Sequence, residues 1–391
     1  MNRWLVRVVA LGALAVAAAA CGGDGEKPNL FGVRSELIAP IGTIDAMAFA
    51  PDGRLFLAEH WGGDVRVITA DGELLPDPVI HFDIAPGLEW GLTGLAIDPD
   101  FEENHFIYVY FAEFLEGSNT VARPVVMRFT ESANKGSDPK VIVDDLPDTR
   151  DKPPFNASGS IHFGPDGYLY VSIGDFDVPK LVGPLKKEAP QDLGIAMGKV
   201  LRVDKADGSA PDDNPFVAES GADPRIFAYG FRENFDFEFD PASGKIFATD
   251  NTSVSCEELN VVISGANYGW PKAGEWPYND CLFAGETAAI HFFAKQGLQP
   301  GDFTSVLGIK GMGFVSGDVY PLLGDSLLVC GGENIYRVAF SGADRAKVTS
   351  TDLVIEGCQQ DIVISPDGIV YYNSDSEIRR LMPVAPATKN P

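Results

Sequence analysis

Short runs of alternating β-branched and aromatic residues recur along the chain, each introduced by a Pro-Asp-Gly or Asp-Pro turn and closed by an acidic or glycine-rich one. The copies begin at Ala50-Pro51-Asp52-Gly53 (before RLFLAEHWGGDVRVI), Asp98-Pro99-Asp100 (before HFIYVYFAE) and Gly164-Pro165-Asp166-Gly167 (before YLYVSIGD). Three more begin at Asp240-Pro241 (before GKIFATDN), Leu322-Leu323-Gly324-Asp325 (before SLLVCGGENIYRVAF) and Ser365-Pro366-Asp367-Gly368 (before IVYYNSDSEIRRL). The spacing, roughly 40 to 80 residues, leaves room for four strands and their loops in each copy. Helical 3.6-residue periodicity is scarce. The pattern therefore predicts an all-β chain, a six-bladed β-propeller of four-stranded antiparallel blades. Neighbouring blades cover both faces of each sheet, which accounts for the near-continuous apolar run from Phe106 to Phe111.

Composition narrows the partners. With 391 residues and 45% hydrophobic content the chain has ample material for a core, which excludes a disordered or fibrous protein. The net charge of −26 repels nucleic acid and anionic headgroups, so a neutral partner fits better. At the N-terminus, Arg3 and Arg7 precede an apolar stretch from Val8 to Ala20 that is too short and too Ala-rich to span a membrane stably, the pattern of a secretion signal. Ala18-Ala19-Ala20-Cys21, followed by Gly22-Gly23, resembles a bacterial lipoprotein cleavage box, with Cys21 as the lipidated residue. Residues 1–20 then read as the signal peptide, 21–35 as a lipid-anchored tether, 36–383 as one propeller domain and 384–391 as a flexible tail. The protein is expected to be exported and held at a bacterial membrane, the outer one where the source has it, touching lipid only through this anchor. Removing the signal leaves 28 basic residues against 56 acidic ones, a net −28. Cys256, Cys281, Cys330 and Cys358 remain, an even number that predicts two disulfides. Three pairings are open, of which the nearest-neighbour choice is Cys256–Cys281 and Cys330–Cys358. No CxxC or nearby His offers zinc-ligand spacing.

Taken together and in order, GLTGLAIDPDF (91–101), FGPDGYLYVSIGD (163–175), MGKVLRVDKADGSAPDDNPF (197–216), FAYGFRENFDFEFDP (227–241), EELNVVISGANYGWP (257–271) and SPDGIVYY (365–372) resemble the soluble PQQ-dependent sugar dehydrogenases, the glucose/sorbosone dehydrogenase family. The likeness runs from about Ile38 to Met382. The cysteine pair around NYGWP also resembles hedgehog-interacting-protein-like propellers. The resemblance implies a six-bladed propeller that oxidises aldose sugars at C1 and passes a hydride to pyrroloquinoline quinone (PQQ) at its axial mouth. Such chemistry needs a base for the sugar hydroxyl and cations for the three carboxylates of the cofactor.

Carried over position by position, the resemblance puts Asn156 where the family has its His base, and an amide cannot take a proton at neutral pH. His162, flanked by Ile161 and Phe163, reads as a structural histidine. Among the cofactor contacts Arg232 persists, Glu233 replaces an Asn, and Glu89 replaces a Gln. Cys358-Gln359-Gln360 stands where two arginines precede the last PDG turn, and Gly331-Gly332-Glu333 stands where a lysine is expected. Glu258 and Tyr268 match the family's calcium positions, with Glu257, Asp250 and Asn251 close enough in sequence to line the mouth. Trp61, Trp90, Trp270 and Trp276, beside glycines or prolines, are either sugar-stacking platforms or packing residues. His60 and His81 look isolated, and no Ser-His-Asp order, phosphate loop or paired catalytic carboxylate has a recognisable motif. Two readings follow: an oxidoreductase that oxidises aldoses with PQQ and calcium, or a non-catalytic propeller that binds a neutral sugar, a glycan or a protein partner.

Overall fold

The computed structural model describes residues 29–85, 87, 89–148, 155–177, 189–251, 256–270, 287–294, 306–342 and 344–384. They form six four-stranded antiparallel sheets, and the expected propeller is the fold. The innermost strands are Ile44–Phe49, Leu92–Ile97, Ile161–Phe163, Asn234–Phe239, Ile309–Val315 and Ile362–Ile364, and each opens a blade. Blades 1 to 5 run outward in chain order. Blade 6 instead takes its outermost strand from the N-terminus: Val33–Pro40 pairs with Glu377–Pro383, from Val33 opposite Pro383 to Pro40 opposite Glu377. That strand closes the ring, and it begins three residues ahead of the expected domain start at 36.

Local chemistry explains the repeat. In the Pro-Asp-Gly turns the glycine amide donates back to the residue three earlier, Gly53 to Ala50 at 3.0 Å, Gly167 to Gly164 at 2.9 Å and Gly368 to Ser365 at 2.8 Å. Each of these glycines has φ of 80° or more on the positive side, a conformation that costs a residue with a Cβ. The Asp98 copy differs by a single helical turn, Phe101–Asn104. Ile107 through Ala112 are all buried, so that strand is covered on both faces, as its apolar run predicts. Cys330 and Cys358 form a disulfide that ties the second strand of blade 5 to the segment entering blade 6. Cys256 is disulfide-bonded as well; Cys281, its expected partner, lies outside the described residues. Among the described residues no helix is long and apolar enough to cross a membrane. The expected signal, the lipidation site Cys21 and most of the tail also lie outside them.

Candidate functional site in the axial mouth

In every blade the first strand starts, and the second ends, at the same face of the ring. Segments entering blades 2, 3, 4 and 6 therefore bring Glu89, Asn156, Arg232–Glu233 and Gln360 to one end of the axis, together with the turns that follow the second strands. A cavity of about 430 Å3, counted out to bulk solvent, opens there. Its wall includes Asp45, His60, Glu89, Thr93, Ser158, Ser160, Glu233, Phe235 and Gln360.

Four inner strands share a device at this end. Against the second strand the pairing skips Asp45 in blade 1, Thr93 in blade 2, Phe235 in blade 4, and Lys310 with Gly311 in blade 5. A bulge leaves its extra residue unpaired and re-aims its side chain. Asp45, Thr93 and Phe235 line the mouth by this means. Lys310 sits 5.8 Å from the Phe235 ring centre, in the field of Asp45, Glu233 and Glu89. Burial lowers its pKa.

Asn156 does not face the cavity. It adopts φ 57°, its side chain is buried, and its amide donates to Asp175 Oδ1 at 2.7 Å. Asp175 Oδ2 accepts the Trp270 indole N–H at 2.8 Å. The position where the resemblance puts a base is thus a strut under the mouth. The backbone around it is crowded: a Cβ at Gly174 would lie 1.7 Å from the Asn156 carbonyl oxygen, so only glycine fits there. The loop turns Ala157 N–H toward Glu89, which accepts it at 3.2 Å.

Arg232 is held by its own surroundings. Its guanidinium donates to the Asn251 carbonyl at 2.8 Å and lies 3.8 Å from Glu233 and 5.7 Å from the Trp270 ring centre. Backbone N–H groups of Arg232 and Glu233 donate to Asp250 at 3.1 and 2.7 Å. Around this single guanidinium stand Glu89, Asp175, Glu233 and Asp250, all with pKa values raised first of all by burial. Asp250 is pushed up to about 7. Glu233 is raised well above its ordinary value, first by burial and then because the nearby Glu89 carboxyl repels its charge. This carboxyl pair has no signature in the sequence, where no paired carboxylate was recognised.

His60 is not isolated. Its Nδ1 is ion-paired to Asp45 Oδ2, and Gln360 Nε2 donates to Asp45 Oδ1 at 3.3 Å. Burial opposes a charge on His60, but the hydrogen bond and charge of Asp45 outweigh it and raise its pKa. His60 Nε2, Thr93 Oγ1, Ser158 Oγ and Gln360 Oε1, all on the cavity wall, have no hydrogen-bond partner among the described residues. His81 is exposed and pairs with Asp64 at 2.8 Å.

Deeper on the axis His162 fills its expected structural role. It meets Asp236 at 3.0 Å, while Ser160 Oγ and Met312 N–H donate to the same carboxylate at 2.6 and 3.0 Å, which stitches blades 3, 4 and 5 together. Despite burial, Asp236 raises the His162 pKa to about 9. Asp361, raised to about 8 by burial and then by Asp236, accepts Met47 N–H at 2.8 Å.

Glu258 faces Asp250 across the ladder of blade 4 and accepts Asn260 Nδ2 at 3.0 Å. Burial and then Asp250 push its pKa up to about 8. The Tyr268 hydroxyl donates to the Val261 carbonyl at 2.6 Å and accepts Ile263 N–H at 3.0 Å, and its ring stacks on Phe231. These two side chains do not assemble a calcium shell, and among the described residues no three His, Cys, Asp or Glu cluster to hold a metal. Glu257 is turned from the mouth and accepts the Leu307 and Gly308 amides at 2.6 and 2.5 Å. Trp90 and Trp270 are buried packing residues, whereas Trp61 is 53% exposed, edge-on to His60; Trp276 lies outside the described residues.

The family model described as Glucose / Sorbosone dehydrogenase matches residues 43–382. The chain is 26% identical over 345 residues to the aldose sugar dehydrogenase of Escherichia coli (strain K12), covering 87% of this chain and 89% of that one. It is 31% identical over 279 residues to quinoprotein glucose dehydrogenase B of Acinetobacter calcoaceticus, covering 66% of this chain and 56% of the relative. The apo crystal structure of the soluble Escherichia coli aldose sugar dehydrogenase superposes with a TM-score of 0.75 at 23% identity, over 90% of this chain and 99% of that one, a likeness of fold.

Proposed function

Starting from the chain's membership of the Glucose / Sorbosone dehydrogenase family, we propose that its axial mouth binds a neutral aldose sugar directly. The observation that carries this reading is the cavity wall. Four buried polar atoms, on His60, Thr93, Ser158 and Gln360, have no hydrogen-bond partner among the described residues, and the Asp45, Glu89 and Glu233 carboxyls line the same cavity. An unmet buried donor or acceptor costs about 1–3 kcal/mol. Sugar hydroxyls, each both donor and acceptor, relieve that cost without bringing charge. Exposed Trp61, beside His60, offers a ring face for sugar C–H groups at the rim.

PQQ does not fit the described mouth. A trianion there would meet the Glu89 and Glu233 carboxyls, while Arg232 is engaged by Asn251 and Glu233. Asn156, at the family's base position, is spent on Asp175. No oxidation step is therefore assigned to these residues. The second reading, PQQ-linked aldose oxidation, is favoured by the match over residues 43–382 and by Lys310, a cation that the bulge of blade 5 brings to the mouth. Calorimetric titration with glucose and other aldoses, with and without PQQ, separates the two when paired with a dye-reduction assay. Sugar binding without PQQ binding or dye reduction is the expected result; PQQ-dependent dye reduction overturns it in favour of the second reading. Export and lipid attachment at Cys21 belong to the same reading, and a Cys21→Ser variant is expected to lose fatty-acid labelling.

A further inference from the structure

Lys135, Lys140, Lys199, Lys205 and Lys245 each donate their side-chain amine to a carbonyl or carboxylate, at 2.7 to 3.2 Å. Lys310 does not. It is half-buried, and among the described residues no acceptor lies within hydrogen-bond distance of its amine and no carboxylate within ion-pair distance. The pairing of blade 5 skips it, and the bulge sets the amine 5.8 Å from the centre of the Phe235 ring, on the mouth wall.

The carboxyls whose charge reaches Lys310 from other blades are engaged elsewhere: Asp45 by His60 and Gln360, Glu89 by the Ala157 amide, and Glu233 by Arg232 at 3.8 Å. Glu333 acts from an exposed turn after the second strand of blade 5, and blades 3 and 6 bring uncharged Ser158, Ser160 and Gln360 to the wall. An ammonium that gives up water without a counter-ion in contact is disfavoured against the neutral amine, and burial accordingly outweighs the carboxyls in setting the direction of the Lys310 shift. A desolvated lysine is the form that attacks carbonyl carbon.

Resting on the reading that an aldose occupies the mouth, we propose that Lys310 is a nucleophile that condenses with the open-chain aldehyde of that sugar, which makes the mouth a reversible covalent site for aldehydes. The Nζ lone pair adds to the aldehyde carbon as the carbonyl π bond opens, and an N–H proton passes to the oxygen. The carbinolamine then loses its hydroxyl together with the remaining N–H proton as water, and the carbon–nitrogen double bond closes. Water adding back by the same path frees sugar and amine. Nothing is oxidised or reduced. Once protonated the imine is a cation, and Asp45, whose charge reaches Lys310, favours that form.

The test incubates the protein with D-glucose or D-glyceraldehyde and sodium cyanoborohydride, which reduces an imine to a stable secondary amine. Peptide mass spectrometry reads the labelled lysines and their rates, alongside calorimetry with glucose. Lys310 is expected to be labelled at least about 10-fold faster than Lys347, which is exposed, because the site holds the aldehyde beside the amine. The fast labelling is expected to saturate with glucose, to be suppressed by 1,5-anhydroglucitol, which has no aldehyde form, and to vanish in Lys310→Arg with the native circular dichroism kept. Glucose binding with Lys310 labelled no faster than Lys347 overturns this inference and leaves the binding reading standing; absence of binding and of fast labelling overturns both. Fast labelling by glyceraldehyde without glucose binding sustains Lys310 as the nucleophile and overturns the sugar reading. If Lys310→Arg does not fold, the comparison of Lys310 with Lys347 in the unaltered protein decides on its own.

Discussion

At position 156, where the resemblance puts a histidine, the side chain works as a support. Asn156 supports Asp175 from a left-handed backbone, and Asp175 in turn holds the Trp270 indole. Placing a histidine there is therefore not expected to supply a base. Asn156→His should lose the buried hydrogen bond at a cost of about 1–3 kcal/mol, lowering the melting temperature without raising dye reduction or PQQ affinity. A gain in either would show that the side chain reaches the mouth. Glu89, Arg232, Glu233 and Gln360, singled out by the motifs around them, meet at one end of the axis. Their partners were not legible. Glu89 and Glu233 reach one cavity wall from the segments entering blades 2 and 4, and His60 meets Asp45 across a strand pair, arrangements that no local spacing encodes.

At the scale of the strand, turn chemistry and hydrophobic alternation carry the prediction because both are local. The six Pro-Asp, Asp-Pro or Gly-Asp turns each precede a strand, and the continuous apolar run of blade 2 is the doubly covered strand it resembles. The bulges are another matter. Pairing skips Asp45, Thr93, Phe235 and Lys310 at the mouth end of four inner strands, and a skipped residue cannot be told from an alternating one until its partner strand is in place. One signal was available: a residue out of character immediately after the first apolar position of an inner strand, as Asp45 after Ile44 and Lys310 after Ile309. Ring closure depends on an element that the repeat did not include. A chain starting at residue 33 is expected to fold and melt like the longer protein. One starting at residue 41 lacks the strand paired with Glu377–Pro383 and should melt far lower or aggregate, which thermal denaturation of the two truncations checks.

For the whole molecule, the strong negative charge read from composition has a buried counterpart. Asp250 and Glu258 are raised from 3.8 and 4.5 to about 7 and 8, and Asp361 from 3.8 to about 8. The folded chain thus holds protons that the unfolded chain releases near pH 4, and stability is lost as pH rises through the folded-state values. His162, raised from 6.5 to about 9, acts in the same direction: its contribution is full below 6.5 and lost as pH rises through 9. Melting temperature in metal-free buffer is therefore expected to fall steadily from pH 6 to pH 9; a rise across that interval would mean that these carboxyls are ionised and paired. The closing strand Val33–Pro40 adds a mechanical consequence. It is both the outermost strand of blade 6 and the first strand after the N-terminal segment, so tension applied through that segment enters the ring at its seam. Blades 1 to 5 are each built from consecutive strands and share the load only after the seam has given way. Pulled from its N-terminus, the propeller is thus a ring whose clasp takes the load first.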